Sequence, residues 1–180
     1  MFADAPSTVI PAPFAEKTSF NQSIGHWDLT NVTNIASMFE GASTFNQDIS
    51  QWNTSNVEVM SQLFDGAVSF NQPINEWNTS RVRLMNSIFS GASNFNQPIG
   101  DWDTSSVTQM STMFSEASRF DQPLSNWDIS NVTDVRRMFN GASLFKQAIS
   151  GWNTSNITNM SGMFWLATVF NQDLSTWDVA

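Results

Sequence analysis

The sequence predicts an α/β repeat solenoid: a right-handed coil with short parallel strands on its concave face and short α or 3-10 helices on its convex face. Three observations lead there. Phe-Asn-Gln or a close variant returns every 25 residues, beginning at Phe20, Phe45, Phe70, Phe95, Phe120, Phe145 and Phe170. A fixed period of this length marks units that cannot bury their apolar faces alone and must stack on their neighbours. Within one period, Ile49-x-x-Trp52-x-Thr54 ends on the spacing of two that a strand needs to point side chains inward. The following Val57-x-x-Met60-x-x-Leu63-Phe64-x-x-Ala67 has intervals of three and four, which is helical spacing.

Taken in order, residues 1–19 read as an irregular N-terminal lead-in or cap. Met1 to Glu16 holds three prolines and no leading positive charge, unlike a signal peptide. The chain stops part-way through a repeat after Trp177, so an excised region of a longer surface protein is expected. Residues 20–180 read as a single solenoid of about six and a half repeats. Each strand carries tryptophan at its middle inward position, from Trp27 and Trp52 through to Trp177. The next inward position holds Leu29, Thr54, Thr79, Thr104, Ile129, Thr154 and Val179, a set suited to a half-buried strand site. Ser55 or Asn56 is placed to cap the helix, and Gly41, Gly66, Gly91 and Gly141 suit its exit. Stacking then builds rows: one of tryptophan, two of phenylalanine, and one rich in methionine at Met60, Met85, Met110 and Met160.

Composition narrows the function classes. The net charge of −9 and pI near 4.2 leave no basic stripe for nucleic acid and no attraction to an anionic membrane. With no cysteine there is neither a disulfide framework nor a thiolate metal site. No stretch approaches the roughly 18 apolar residues that span a bilayer, so direct membrane insertion is not expected.

The spacing Ile35-x-x-Met38-Phe39-x-x-Ala42-x-x-Phe45, read with the strand, resembles the BspA-like leucine-rich repeats. The run from Trp152 through Thr154, Ile157 and Met160 to Met163-Phe164 is similar to a closer relative, the 25-residue repeat of unknown function first named from mycoplasma surface proteins. The resemblance covers residues 20–180. It implies a secreted or surface-anchored bacterial protein used in adhesion or interaction, and it carries over no catalytic residue. Methionine in the helical stretch and tryptophan in the strand depart from a plain leucine-rich repeat. The many Asn-x-Ser/Thr sites, such as Asn53, Asn78 and Asn153, also favour a bacterial origin, because glycans on so many stacked positions would crowd one face.

With Trp52 and Thr54 inward, Gln51, Asn53 and Ser55 face outward, and the same three positions recur in every repeat. The middle one is always Asp or Asn, while the first varies as His26, Gln51, Glu76, Asp101, Asn126, Gly151 and Thr176. A constant polar column beside a variable one is the pattern of a ligand-binding sheet. The candidate site on the concave face is therefore Gln51, Asn53, Glu76, Asn78, Asp101, Asp103, Asn126, Asp128 and Asn153. The alternative is that Asp or Asn closes each turn and Ser caps each helix. Glu76, Asp101, Asp103 and Asp128 would repel one another, which a basic ligand or Ca²⁺ could relieve; no known calcium-loop spacing is present, and no other cofactor is expected. The glutamines at the Phe-Asn-Gln positions read as an amide ladder between coils. Arg81, Arg83, Arg136 and Arg137 read as solvated surface, and Trp165 and Leu166 as an end cap.

The leading expectation is a monomeric, extracellular adhesion module that recognises a host or neighbouring-cell protein, peptide or glycan. A structural spacer in a larger surface protein is the second. Ice binding through Thr54, Thr79 and Thr104 is a third, opposed by Leu29 and Ile129 in the same row. An enzyme is not expected, with one histidine, no cysteine and no recognisable carboxylate-pair motif.

Overall fold

A computed structural model describes residues 9–178; the first eight residues of the expected lead-in, and Val179 and Ala180 of the last repeat, lie outside it. Successive 25-residue units lie one on the next. The strands and helices expected of an α/β solenoid are absent among the described residues, which corrects that expectation. Each unit is instead a run of turns, and consecutive units are joined by single parallel bridges, as in Asn34 to Val59, Val59 to Leu84 and Leu84 to Gln109.

The turns follow directly from the intervals of three. Within one unit the N–H groups of Trp52, Val57, Leu63, Ala67 and Phe70 donate to the carbonyls of Ile49, Thr54, Met60, Phe64 and Ala67. Each closes a turn across three residues rather than continuing a helix. The segment expected to be helical is the one that pairs with its neighbours. Met60, Gln62, Phe64 and Gly66 donate forward to the carbonyls of Leu84, Asn86, Ile88 and Ser90 in the next unit. The same four bonds run from Met85, Ser87, Phe89 and Gly91 to the unit after it. Gln62 and Gly66 hold positive φ, 59° and 70°, and this left-handed backbone breaks any helix. The tryptophan segment expected to be a strand is closed by its own turn, and no bridge passes through it.

The stacked rows form the core. Phe39, Phe64, Phe89, Phe114 and Phe139 are fully buried, as are Phe45, Phe70, Phe95, Phe120 and Phe145. Inside one unit Phe64 lies face to face on Phe70 with centroids 3.8 Å apart, and between units Phe64 meets Phe89 at 5.8 Å. Trp52, Trp77 and Trp102 stack at 6.1 Å and 6.4 Å. Each indole N–H also finds a backbone acceptor in the preceding unit: Trp102 Nε1 donates to the Ile74 carbonyl at 3.0 Å. Large aromatic area fills a layer that is thin in leucine, and the indole is buried without stranding its donor.

Polar ladders finish the contacts. The Asn71 Oδ1 accepts from the Asn96 N–H at 2.9 Å and from Gln97 Nε2 at 3.0 Å, and equivalent bonds recur along the stack. Thr54, Thr79 and Thr104, about 1% exposed, donate Oγ1 to the carbonyls of Asn78, Asp103 and Asp128, so this threonine row presents nothing to solvent.

The lead-in takes the place of a preceding unit. Ile10 and Glu16 donate to the carbonyls of Asn34 and Glu40, and Phe14 stacks on Phe20 at 3.7 Å and on Phe39 at 5.6 Å. At the other end Trp165 and Leu166 are 61% and 55% exposed.

One carboxylate sits uneasily in the stack. Burial pushes the pKa of Asp65 up; a hydrogen bond with Ser90 opposes this, and the nearby Glu40 and Glu16 carboxylates add to the rise. A raised folded-state pKa means that this group stabilises the fold most below its ordinary value of 3.8, and that the contribution disappears as pH climbs through the folded value. Asp65→Asn is therefore expected to raise the urea midpoint modestly at neutral pH and to bring little gain near pH 3. Urea melts across that range check it, and a gain that grows on acidification contradicts the assignment.

Candidate functional site

The outward positions beside the tryptophan row are exposed in every one of the predicted site residues: Gln51, Asn53, Glu76, Asn78, Asp101, Asp103, Asn126, Asp128 and Asn153. The alternation with buried Trp and Thr is real, although it arises from a turn and not from a strand. Because the units stack, the residues form two parallel columns, one constant and one variable.

The constant column closes turns. Asn78 Oδ1 accepts from the Ser80 N–H at 3.1 Å and from its hydroxyl at 2.7 Å. Asp103 does the same for Ser105, and Asn153 for Ser155. Asn53 accepts from the Ser55 N–H, and Asp128 from that of Ser130. These are Asx turns, in which a short side chain mimics a turn of backbone. They hold the pKa of Asp28 and of Asp128 below the ordinary carboxylate value, chiefly through the hydroxyls of Thr30 and Ser130 and then through the backbone N–H groups of the same residues. The second oxygen of each carboxylate is left to solvent or ligand. Ser55 and Asn56 cap no helix: the Ser55 N–H closes its turn, and Asn56 Nδ2 donates to the Thr30 carbonyl.

The variable column is freer. Gln51 donates to Ser50 Oγ and Glu76 accepts from Asn75 Nδ2 at 2.6 Å, contacts that hold no backbone together. Among the described residues no three His, Cys, Asp or Glu side chains gather where they could hold a metal ion, so the calcium candidates Glu76, Asp101, Asp103 and Asp128 are not drawn into one group. Among the described residues no helix is long and apolar enough to cross a membrane.

The family model of the Mycoplasma protein of unknown function, DUF285, matches residues 8–124 and again residues 85–180. The chain belongs to this family. The match names the mycoplasma repeat and does not confirm the BspA-like leucine-rich-repeat assignment. No curated protein and no solved structure matches the chain.

One feature of this DUF285 chain escaped the sequence reading. A hollow of about 530 Å³ opens beside the constant column, lined by Glu58, Ser80, Arg81, Arg83, Ser105, Ser106 and Asn131. Arg81 and Arg83 are exposed, as expected of solvated surface, and they also line this hollow. The signal was in the register: the position four residues after each repeat's tryptophan reads Asn31, Asn56, Arg81, Ser106, Asn131, Asn156, and it breaks pattern only at Arg81 and Ser106.

Proposed function

We propose that this chain is an extracellular binding module of a secreted or surface-anchored protein, and that its exposed double column recognises a peptide, protein or glycan of a neighbouring or host cell. The observation that carries this reading is the variable column itself. Gln51, Glu76, Asp101 and Asn126 are exposed, change from unit to unit, and stabilise no backbone turn, whereas the column beside them is constant and bound into the fold. Side chains free of structural duty on a regular scaffold are the ones that vary with the ligand. The column holds no lysine or arginine, so a basic or hydroxyl-rich partner suits it.

Binding to a combined peptide and glycan array, in calcium and in chelator, tests the proposal. A specific hit is expected to weaken by at least about tenfold in Glu76→Gln/Asp101→Asn, with an unchanged circular dichroism spectrum. Loss of that hit in chelator would assign calcium a part. A blank array with folded protein would instead favour a spacer, a reading supported by how completely the repeats satisfy one another: Asn140 Oδ1 is the single buried side-chain polar atom without a partner among the described residues.

A further inference from the structure

At three units the asparagine four residues after the tryptophan seals the surface. Asn56, Asn131 and Asn156 donate Nδ2 to the carbonyls of Thr30, Ser105 and Ser130, at 2.7, 2.8 and 2.6 Å. Ser106 reaches the Ser80 carbonyl with its hydroxyl, at 2.8 Å, but it is shorter than an asparagine and leaves the space above it open. Arg81 cannot fill that space, because its Nη1 is turned to the preceding unit, donating to Asn56 Oδ1 at 2.7 Å. The hollow is thus the product of two departures from one column.

Its chemistry is asymmetric. Arg83 is ion-paired with Glu58. Arg81 has no carboxylate within ion-pair distance among the described residues, and its one hydrogen bond leaves most of the guanidinium donors unused. The rest of the lining is rich in acceptors. The hydroxyl hydrogens of Ser80, Ser105 and Ser106 are committed to Asn78, Asp103 and the Ser80 carbonyl, so their oxygens face a ligand as acceptors. Asn131 spends one amide N–H on the Ser105 carbonyl, which leaves its Oδ1 to accept and its second N–H to donate.

A ligand that satisfies this lining carries an anionic group for Arg81 and several O–H donors for the rest. We infer that this hollow binds an acidic sugar, a carboxylate on a polyhydroxylated ring, with Arg81 taking the carboxylate and Ser105, Ser106 and Asn131 accepting from ring hydroxyls. A guanidinium pairs a carboxylate in a planar, two-pronged contact that an ammonium cannot reproduce. The hollow is wide and open to solvent, so a sugar ring can lie against it. An acidic peptide can also pair Arg81 and donate N–H groups, but on a flexible chain that must be ordered, whereas a sugar acid holds its carboxylate and hydroxyls on one rigid ring. The inference stands apart from the exposed double column, since none of Gln51, Glu76, Asp101 and Asn126 lines the hollow.

Titration of the full chain with D-glucuronate, followed by amide chemical shifts, is the test. D-Glucose and acetate serve as the matched probes that lack the charge or the hydroxyls. Glucuronate is expected to shift the resonances of residues 80–83, 105–106 and 131, with glucose and acetate each binding at least about tenfold more weakly. Ser106→Asn restores the residue that seals other units, so the fold is expected to be kept while affinity falls by about tenfold or more. Arg81→Lys is expected to weaken glucuronate and leave the residual glucose response alone. Glu76→Gln/Asp101→Asn is expected to leave glucuronate binding unchanged, which separates this site from the array result. Acetate binding as tightly as glucuronate, no response to glucuronate at millimolar concentration, or a Ser106→Asn protein that still binds at wild-type strength would each overturn the inference.

Discussion

Phe89→Ala is expected to lower stability by about 3–5 kcal/mol, seen as a large fall in the urea midpoint. The ring is fully buried and has neighbours on every side: Phe95 at 3.8 Å within its unit, Phe64 and Phe114 at 5.8 and 5.7 Å above and below, and Trp102 at 6.1 Å. Removing it takes away apolar burial and opens a cavity that the stack cannot close. The hydrogen bonds from the Phe64 N–H to Ile88 and from the Phe89 N–H to Met113 fix the unit spacing on both sides. The equivalent ring near the end is a different case. Phe164 is only half-buried, with Phe139 at 5.7 Å in the unit before and, among the described residues, no ring beyond its own unit but the tilted Trp177 at 6.2 Å. Phe164→Ala is therefore expected to cost clearly less, as stability in a stacked array is a sum over neighbouring units. Equal losses at the two positions would mean that the array does not hold together unit by unit.

The same rows show what could be read from sequence and what could not. The burial of Phe64, Phe70, Trp52 and Met60 was legible because each layer must present its apolar side chains to the next at one register, and only a 25-residue period does this. The local backbone was not. An interval of three, as from Met60 to Leu63, closes a turn as well as it continues a helix, and periodicity alone does not separate them. The decisive residue is Gln62, whose φ of 59° turns the chain left-handed without the glycine that normally announces it. Gly66 did carry the signal, yet a positive φ at a helix exit and in a run of turns look alike. Ile49-x-x-Trp52-x-Thr54 misled for a similar reason: Trp52 and Thr54 do alternate inward with Gln51 and Asn53 outward, but the Trp52 N–H goes to its own Ile49 and not to a neighbouring strand. At the candidate site, the Asx-turn role of Asn53, Asn78 and Asp103 followed from residue type. The hollow at Arg81 did not, because it depends on what an absent asparagine leaves behind.

The glycine column provides the second large effect, and a test of pairing between units. The position reads Glu16, Gly41, Gly66, Gly91, Glu116, Gly141 and Leu166, and all seven hold φ between 58° and 70°. Non-glycine residues are thus tolerated, but each glutamate is followed one unit on by glycine. A Cβ built on Gly141 would stand 2.6 Å from the Glu116 carboxylate, and one on Gly41 would stand 2.9 Å from that of Glu16. The glutamate side chain lies where the next unit's Cβ would be. Gly141→Ala is therefore expected to destabilise by about 1–2 kcal/mol, chiefly through the left-handed backbone, with a smaller share from moving the flexible Glu116 carboxylate aside. Glu116→Gly in the same chain removes the obstacle while leaving the backbone cost in place. The double variant is accordingly expected to be more stable than the sum of the single changes, by about 0.5 kcal/mol or more. Gly91→Ala supplies the contrast, because its Cβ would meet only the backbone of Gly66, at 3.4 Å. Urea melts of the four chains of this cycle decide the matter. Strict additivity would show that the carboxylate does not occupy the space above Gly141 and that the glutamate–glycine succession has no steric cause.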